Sequence, residues 1–392
     1  MRVTWDIFCR VIDNFGDIGV TWRLARQLVA EHGLDVRLWV DELDAFCRLC
    51  PEANTEDAVQ LLEGVAVHRW PTEWQPVVAA DVVIEAFACH LPPAYIESMA
   101  QRSPQPLWLN LEYLSAEDWV AGCHGLPSLQ PEGLQKFFFF PGFTPQTGGL
   151  LRESGLIEQR LSFQQDPAAR QQFLQQIGVV AKPATRLISL FAYENPALAS
   201  WLDALAEAEQ ASHLLVPAGR SVADVQRWLG VDSLAAGDVH VRGALTVHVI
   251  RFLSQQDYDR LLWSCDFNAV RGEDSFVRAQ WAGRPFLWQI YAQQDDVHLH
   301  KLEAFLKLYS AGLTPAASAA LLTQWRAWNR GEDMRESWRA LLAVLPELTA
   351  HAENWCRQQA AQINIAEALV HFYLNWLQCA PKNTFPPSLP GN

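Results

Sequence analysis

Residues 5–30, WDIFCRVIDNFGDIGVTWRLARQLVA, join a short apolar run to an amphipathic one. Residues 5–12 are apolar and β-branched enough to predict a buried strand. Residues 20–30 carry apolar side chains at helical spacing, which predicts a helix. The turn between them therefore lies at the carboxyl end of a strand, where open α/β sheets place their ligands.

This turn contains two carboxylates, Asp13 and Asp17, on a backbone made flexible by Gly16 and Gly19. Aspartate also favours helix N-caps and turns, so a purely structural role is the alternative for both residues. The position at the edge of the sheet favours acid/base chemistry, because the base of an inverting displacement must stand opposite the leaving group.

Composition limits the possible classes of protein. The length of 392 residues predicts two domains, and a hydrophobic content of 50% predicts a large core. The formal net charge of −14 argues against nonspecific nucleic-acid binding. The start of the chain lacks a signal-peptide pattern, no stretch is apolar enough to span a bilayer, and the cysteines are scattered. These features predict a cytoplasmic protein without a membrane segment.

Short apolar segments alternate with helical ones along two stretches of the chain. In the first stretch, strands are predicted at 36–40, 65–69, 81–86 and 107–111, and 137–140 is either a strand or a hydrophobic insertion. A polar junction at 158–183 contains one predicted helix, 168–177. Strands then recur at 186–192, 213–217, 247–249, 267–270 and 285–290, with helices at 196–208, 256–264 and 276–282. This alternation predicts α/β architecture with parallel, helix-covered sheets.

Two Rossmann-like halves joined by a linker are typical of the GT-B fold, in which two domains face each other across a cleft. We expect an N-terminal domain at 1–178 and a C-terminal domain at 184–354. The segment 355–378 is predicted as one long amphipathic helix that packs back on the first domain, followed by a flexible, Pro-rich tail at 380–392. Periplasmic binding proteins share this organisation, but the missing signal-peptide pattern disfavours them.

The stretch Arg271-Gly272-Glu273-Asp274-Ser275 follows a predicted strand and opens a helix. Backbone N–H groups at a helix N-terminus, with the Ser275 hydroxyl and the Arg271 guanidinium, suit a diphosphate. An ionised Glu273 only accepts hydrogen bonds, so it suits ribose hydroxyls better than phosphate. A capped surface helix is the alternative reading of this stretch.

Three aromatic residues, Phe191, Tyr193 and Phe252, stand at predicted strand ends and offer faces on which a base can stack. Aromatic residues at such positions more often belong to the core, so this signal alone is weak. The glycine-rich loops of NAD- and ATP-binding proteins are absent from the sequence.

Two motifs have metal-ligand spacing, Cys47-x-x-Cys50 and His298-x-His300. The first has no second cysteine pair and the second has no clear third ligand, so we predict no metal site.

Two long motifs, residues 5–28 (WDIFCRVIDNFGDIGVTWRLARQL) and 267–291 (FNAVRGEDSFVRAQWAGRPFLWQIY), resemble those of the bacterial EarP family of protein-arginine rhamnosyltransferases, which modify elongation factor P. The similarity extends over essentially the whole chain and includes LWLNLEYLSAEDW at 107–119. The resemblance implies a GT-B enzyme that transfers L-rhamnose from dTDP-β-L-rhamnose to an arginine guanidino nitrogen of elongation factor P. It also implies inversion at the anomeric carbon, no metal or other cofactor, and support for translation of polyproline stretches.

The resemblance implies that the first domain binds the acceptor. Carried over by position, it gives catalytic roles to Asp13 and Asp17 of that domain. Asp17 is then the preferred general base, and Asp13 orients the guanidinium. Which of the two takes the proton stays open. Gly16 and Gly19 belong to the same substrate-binding loop.

For the second domain, the resemblance implies a nucleotide-sugar site. Glu273 would help to hold the nucleotide sugar. The remaining positions would surround the diphosphate (Arg271, Asp274, Ser275 and nearby Tyr193) or the thymine and its sugar (Phe191, Phe252 and Gln255). One departure is Ala292, where the family pattern leads us to expect proline, and this leaves the pose of Gln293 open.

Three other functions fit the same architecture. They are a nucleotide-sugar epimerase, a GT-B transferase for a small acceptor, and a non-catalytic protein that binds elongation factor P. The constellation of Asp13, Asp17 and Glu273 argues against the last, because a binding protein does not need it.

Overall fold

Each half of the chain is built around its own parallel-rich sheet in the computed structural model, which describes residues 3–12, 15–182, 184–292 and 296–379. Three positions that carried predictions, Asp13, Gln293 and the tail 380–392, lie outside the described residues. Within the described ranges, no helix combines the length and apolar character needed to cross a membrane.

The first half contains an eight-stranded sheet. Its strands are β1 (Thr4–Cys9), β2 (Asp35–Val40), β3 (Val59–Leu62), β4 (Val65–Arg69), β5 (Val82–Ala86), β6 (Leu107–Leu111), β7 (Pro127–Leu129) and β8 (Gln135–Phe139). Their order is β3-β4-β2-β1-β5-β6-β8-β7, and only the two edge pairs, β3–β4 and β7–β8, are antiparallel. Strand β1 is central, with Ile7 opposite Leu38 of β2 and Ile84 of β5.

Both faces of this sheet are covered. Successive side chains of a strand point to opposite sides, and those of β1 enter two different core clusters. Trp5 and Ile7 belong to one core cluster, and Phe8 stacks on Trp39 in another. The helices of this half are α1 (Gly16–His32), α2 (Leu43–Leu49), α3 (Pro93–Ala100) and α4 (Val120–Cys123).

The junction between the halves is helical over most of its length. The predicted polar stretch 158–183 contains α5 (Leu156–Gln165), which was missed, and α6 (Pro167–Gln176), which was predicted one residue late. Asp166 separates the two helices and caps α6, since its side chain accepts hydrogen bonds from the N–H groups of Ala168 and Ala169.

The second half contains a six-stranded sheet in the order β11-β12-β10-β9-β13-β14, antiparallel only at the β11–β12 edge. The strands are β9 (Arg186–Leu190), β10 (Ser212–Pro217), β11 (Val239–Arg242), β12 (Leu245–Ile250), β13 (Phe267–Arg271) and β14 (Phe286–Gln289). Its helices are α7 (Leu198–Ala206), α8 (Ser221–Leu229), α9 (Gln255–Ser264), α10 (Asp274–Trp281), α11 (Val297–Tyr309), α12 (Pro315–Arg330) and α13 (Arg335–Ala343).

The long helix predicted at 355–378 is wrong, because the chain forms two helices, α14 (Leu345–Ala360) and α15 (Ile365–Cys379). Asn364 starts the second helix by accepting a hydrogen bond from Glu367 N–H through its side chain. Trp355 of α14 belongs to the core of the second half, whereas Tyr373 of α15 packs on Trp5 of β1. The chain therefore crosses back to the first half between these two helices.

Helix α1 begins at Gly16, four residues before the predicted start, and β1 ends at Cys9 rather than at residue 12. The amide of Gly19 donates to the Phe15 carbonyl at 2.9 Å, so the two glycines lie inside the first helical turn. Asp17 is thus a first-turn residue, where the positive end of the helix dipole favours a carboxylate. The prediction of a flexible loop at this position is corrected to a helix N-terminus.

Sequence patterning missed the three short edge strands, β3, β7 and β11, and five helices, α3, α4, α8, α12 and α13. Edge strands tolerate polar residues and proline, so VQLL at Val59–Leu62 and PSL at Pro127–Leu129 carry no clear alternation. The ambiguous segment at 137–140 is a strand, β8.

Each sheet has one point at which its strand order reverses direction. In the first sheet it lies between β1 and β5, and in the second between β9 and β13. Ligands of open α/β sheets bind beside the carboxyl ends of such strands. Helix α1 follows β1 directly and α10 follows β13 directly, so both predicted motifs lie at these points.

Candidate active site

A cavity lies between the two halves at these reversal points. The first half lines it with Phe15, Gly16, Arg23 and Leu49. The second half lines the cavity with six of the residues predicted to bind a nucleotide sugar: Phe191, Phe252, Gln255, Arg271, Asp274 and Ser275. Asp17, Gly19, Tyr193 and Glu273 are neighbours of this wall rather than part of its lining.

Arg271 is the cation that the second half contributes to the cavity lining. It ends β13, is 5% exposed, and holds its Cζ atom 4.8 Å from the Phe191 ring and 4.5 Å from the Tyr193 ring. Its Nη1 has no hydrogen-bond partner among the described residues. A guanidinium held between aromatic rings with an unused donor suits an anionic ligand.

The first turn of α10 forms the wall next to this cation. Gly272 has φ +60°, a conformation that glycine adopts readily, and its carbonyl accepts from Trp288 Nε1–H at 2.7 Å. Ser275 follows in the first turn and is buried against the cavity. The amides of a first helical turn lack intrahelical partners, so they are available to a phosphate.

The aromatic wall continues into the first half. The Phe252 ring lies 6.5 Å from Phe191 and 4.9 Å from Phe15, centroid to centroid. Phe191 and Tyr193 are nearly buried, whereas Phe252 is more accessible. Of the predicted aromatics, Phe252 is therefore best placed to offer a face to a base.

Asp17 is 2% exposed and both its oxygens accept hydrogen bonds. The Ile12 amide donates to Oδ2 at 2.8 Å, and the Tyr113 hydroxyl donates to Oδ1 at 3.2 Å. Tyr113 follows β6 and was not predicted as a site residue. Two signals pointed to it, its place after a strand and its place within the motif at 107–119.

Glu273 reaches across to the first half, where Leu114 N–H donates to its Oε2 at 2.9 Å. Burial, aided by the carboxylates of Asp17 and Asp274, raises the pKa of Glu273 to about 8, and Leu114 N–H and Lys301 act against this rise. In the unliganded protein at neutral pH, Glu273 is therefore mainly protonated.

Gly19, Asp274 and Gln255 form direct contacts between the halves. The Gln255 amide nitrogen donates to the Gly19 carbonyl at 3.0 Å, and its oxygen accepts from Arg26 at 2.8 Å. A Cβ atom on Gly19 would lie 3.0 Å from Oδ2 of Asp274. The polar atoms of Gln255 are thus engaged by the first half, and its predicted contact with the nucleotide stays a prediction.

Behind the cavity, two arginines and three carboxylates form an ion cluster that the sequence did not reveal. Arg23 of α1 contacts Glu153 (3.3 Å), Asp259 (3.2 Å) and Asp274 (3.1 Å). Arg278 of α10 contacts Glu153 and Asp259, both at 2.6 Å. Burial raises the pKa of Asp274, and both arginines act against that rise.

Two motifs of the sequence, Cys47-x-x-Cys50 and His298-x-His300, have metal-ligand spacing. Cys47 and Cys50 are free thiols. Among the described residues, no group of three or more His, Cys, Asp or Glu side chains is placed to hold a metal ion. Metal independence of the reaction stays a prediction.

Residues 5–374 match the model of a protein family described as the Elongation-Factor P (EF-P) rhamnosyltransferase EarP. The chain belongs to the EarP family. An EarP-family relative from Pseudomonas putida, named a protein-arginine rhamnosyltransferase, is 64% identical over 377 residues, which are 96% of this chain and 100% of the relative. A relative of the same name from Pseudomonas aeruginosa is 59% identical over 374 residues, 95% of this chain and 100% of the relative.

Solved structures agree with this EarP assignment. One, described as the structural basis for EarP-mediated arginine glycosylation of translation elongation factor EF-P, is 50% identical with a TM-score of 0.69, and the match covers 95% of this chain and 99% of that one. A glycosyltransferase from Rickettsia africae is 10% identical with a TM-score of 0.53, covering 98% and 100%, and so shares the fold alone. The predictions of the EarP family, a GT-B fold and glycosyltransferase activity are confirmed.

Proposed function

We propose that this EarP-family glycosyltransferase transfers L-rhamnose from dTDP-β-L-rhamnose to an arginine side chain of elongation factor P in the cytoplasm, with inversion at the anomeric carbon, and so supports translation of polyproline stretches. One observation carries the proposal: the buried Asp17 carboxylate lies in the first turn of the helix after β1, across the cleft from the Arg271 cation that ends β13. The names of the relatives support the sugar and the acceptor.

The donor site follows from the second half. In the proposed complex, Arg271 and the amides of the first turn of α10 bind the diphosphate, and Phe252 stacks on the thymine. Negative charge grows on the diphosphate as the bond from the sugar breaks. Fixed dipoles and a desolvated guanidinium stabilise this charge without reorganisation.

The acceptor chemistry follows from the first half. A guanidinium is protonated at neutral pH and its nitrogen lone pairs are delocalised, so it is a poor nucleophile. A carboxylate that accepts hydrogen bonds from two N–H groups of the guanidinium can localise a lone pair on one nitrogen. Asp17 is placed for this role, and Asp13, outside the described residues, is proposed to orient the group beside it.

A guanidino nitrogen forms a bond to the anomeric carbon while the bond from that carbon to the diphosphate oxygen breaks. The proton released from nitrogen passes to Asp17, and dTDP leaves with the bonding electron pair. Attack opposite the leaving group inverts the anomeric centre. Glu273 would bind a hydroxyl of the donor from the α10 side.

Intact-mass analysis of elongation factor P with dTDP-β-L-rhamnose, with and without the enzyme, tests this function. We expect a gain of one rhamnosyl group, and turnover that persists in a chelator. Asp17→Asn should bind dTDP normally by calorimetry and lose transfer. Asp118→Asn, a change at a carboxylate that is 91% exposed, should keep both.

Three results would argue against the proposal. Consumption of the nucleotide sugar without a mass gain on the protein would favour an epimerase or a small-acceptor transferase. Tight binding of elongation factor P without any turnover would favour a binding protein. Near-normal turnover by Asp17→Asn would remove Asp17 as the base and leave Asp13 as the candidate.

A further inference from the structure

Two consecutive residues after β6 contact the key carboxylates of both halves. The Tyr113 hydroxyl donates to Oδ1 of Asp17 at 3.2 Å, and the Leu114 amide donates to Oε2 of Glu273 at 2.9 Å. Nothing in the chemistry proposed above uses Tyr113. Its hydroxyl nevertheless contacts the carboxylate that is proposed as the base.

The Tyr113 ring contacts groups from both halves of the chain. One face stacks on Phe87, with centroids 4.5 Å apart and planes 19° apart. The ammonium of Lys301, from α11 in the second half, lies 5.8 Å from the ring centroid. A ring fixed in this way has little rotational freedom, so its hydroxyl is delivered to one place.

The platform under the ring is a strained turn. Phe87 and the next residue, Ala88, have φ of +57° and +55°, in the left-handed region that costs energy for residues other than glycine. The Phe87 amide donates to the Leu111 carbonyl at 2.7 Å, which ties this turn to the end of β6. Such strain persists where the surrounding structure enforces it, and it gathers at functional sites.

The hydroxyl of Tyr113 must donate rather than accept in its contact with an ionised Asp17. Burial and the nearby carboxylates of Asp17 and Glu273 raise the pKa of Tyr113 well above its usual range, so the hydroxyl keeps its proton. A carboxylate oxygen has two lone pairs, so one hydrogen bond from Tyr113 does not by itself use the full acceptor capacity of Oδ1.

We infer that Tyr113 is the positioning residue for Asp17: its hydroxyl fixes the rotation of the carboxylate and favours its ionised form, while Leu114 ties the same segment to Glu273 across the cleft. The inference rests on the proposed function, because it takes Asp17 as the group that accepts the proton. Tyr113 contacts Asp17 and acts through it.

The test is Tyr113→Phe, which keeps the ring stack on Phe87 and removes only the hydroxyl. We expect kcat for transfer to elongation factor P to fall roughly 10- to 100-fold, because small misplacements of a reacting group have effects of this size. The KM for dTDP-β-L-rhamnose should not change. The acidic limb of the pH–rate profile should move up by about one pH unit, since a carboxylate that loses a donor is easier to protonate.

The matched control is Tyr95→Phe. Tyr95 is a fully buried tyrosine of the same half whose hydroxyl also donates to an aspartate, Asp6, but away from the cleft. It should keep the wild-type kcat and pH profile.

Each outcome decides the matter. A lower kcat with the shifted limb supports the inference. A wild-type kcat and profile in Tyr113→Phe overturns it, as does a lower kcat with an unshifted limb and a fall in thermal stability, which would show a merely structural role. Absence of transfer by the wild-type enzyme overturns the proposed function, and this inference with it. The wild-type and variant reactions therefore separate the two failures.

Discussion

Arg23 of α1 and Asp259 of α9 form a buried, two-pronged ion pair between the halves, with Nη1–Oδ2 and Nη2–Oδ1 distances of 3.2 and 3.3 Å. Arg278 binds the same carboxylate from α10. The cluster therefore sets where α1 lies against α9 and α10. Because Asp17 is on α1 and the proposed anion-binding turn is on α10, the cluster also sets the width of the proposed catalytic cleft.

Arg23→Met should lower the free energy of unfolding by about 3–5 kcal/mol, because it leaves buried carboxylates without one of their cations. Arg326→Met is the matched control, since Arg326 pairs with Glu303 through two hydrogen bonds at a site where both side chains are about 40% exposed. Exposed pairs contribute about 0–1 kcal/mol. Urea denaturation measures both variants, and equal losses would contradict a special role for the cluster.

Gly19→Ala should reduce kcat/KM by roughly 10-fold, because the new methyl group would press on Asp274 at 3.0 Å and on Gln255 at 3.4 Å and push α1 away from the second half. Gly122→Ala tests the same change on α4, where the added carbon meets no atom within 4 Å. That control should keep full activity and gain up to about 1 kcal/mol of stability. Steady-state kinetics measures both variants. Normal turnover by Gly19→Ala would show that Asp274 and Gln255 can move to accommodate the methyl group without loss of activity.

Much of the fold was predictable from local patterns. Parallel strands are buried on both faces and appear as short apolar runs, so 65–69 and 107–111 were predicted with the bounds that the structure has. The position of the candidate site could be predicted for the same reason. Polar residues at the carboxyl end of such a strand, as Arg271-Gly272-Glu273 are, lie at the edge where open α/β sheets bind their ligands.

The remaining features depend on long-range contacts. Arg23 and Asp259 are 236 residues apart, and no local pattern pairs them. Gly16 and Gly19 indicated a loop, but both are helical, and the absence of a side chain at Gly19 lets α1 lie close to Asp274 and Gln255 of the second half. Tyr113 looked like an ordinary residue after a strand until the structure showed the hydroxyl at Asp17.

Acid should weaken the second half through a pair of buried histidines, His213 on β10 and His248 on β12, whose Nδ1 and Nε2 atoms share a hydrogen bond of 2.7 Å. Burial lowers the pKa of both, that of His248 to about 4. The pKa of each histidine in the folded state lies below the unfolded value of about 6.5. The stability that comes from keeping the pair neutral is therefore fully present above about pH 6.5 and is lost as the pH falls toward 4.

Between pH 7 and 5 the wild type should therefore lose about 1–2 kcal/mol more stability than the double variant His213→Leu/His248→Leu, in which both polar partners are replaced together. Denaturant unfolding at the two pH values measures the difference. Parallel losses in the two proteins would show that the pair does not titrate in this range.

Glu273→Gln should stabilise the protein at high pH while it weakens donor binding. The pKa of Glu273, about 8, lies above its unfolded value of about 4.5, so the folded state favours the protonated form. Stability from this group is present below pH 4.5 and is lost as the pH rises through 8. Glutamine is neutral at every pH and can still accept from Leu114 N–H, so the variant avoids that loss.

We expect the free energy of unfolding of Glu273→Gln to exceed that of the wild type by about 4–5 kcal/mol at pH 8.5 and by about 2 kcal/mol at pH 6. Glu207→Gln, a change at a carboxylate that is 62% exposed, should show no such pH-dependent difference. Calorimetry with dTDP-β-L-rhamnose should show weaker binding by Glu273→Gln alone. A variant less stable than the wild type at pH 8.5 would contradict the raised pKa. Higher stability with unchanged donor affinity would mean that the buried charge of Glu273 serves something other than the donor.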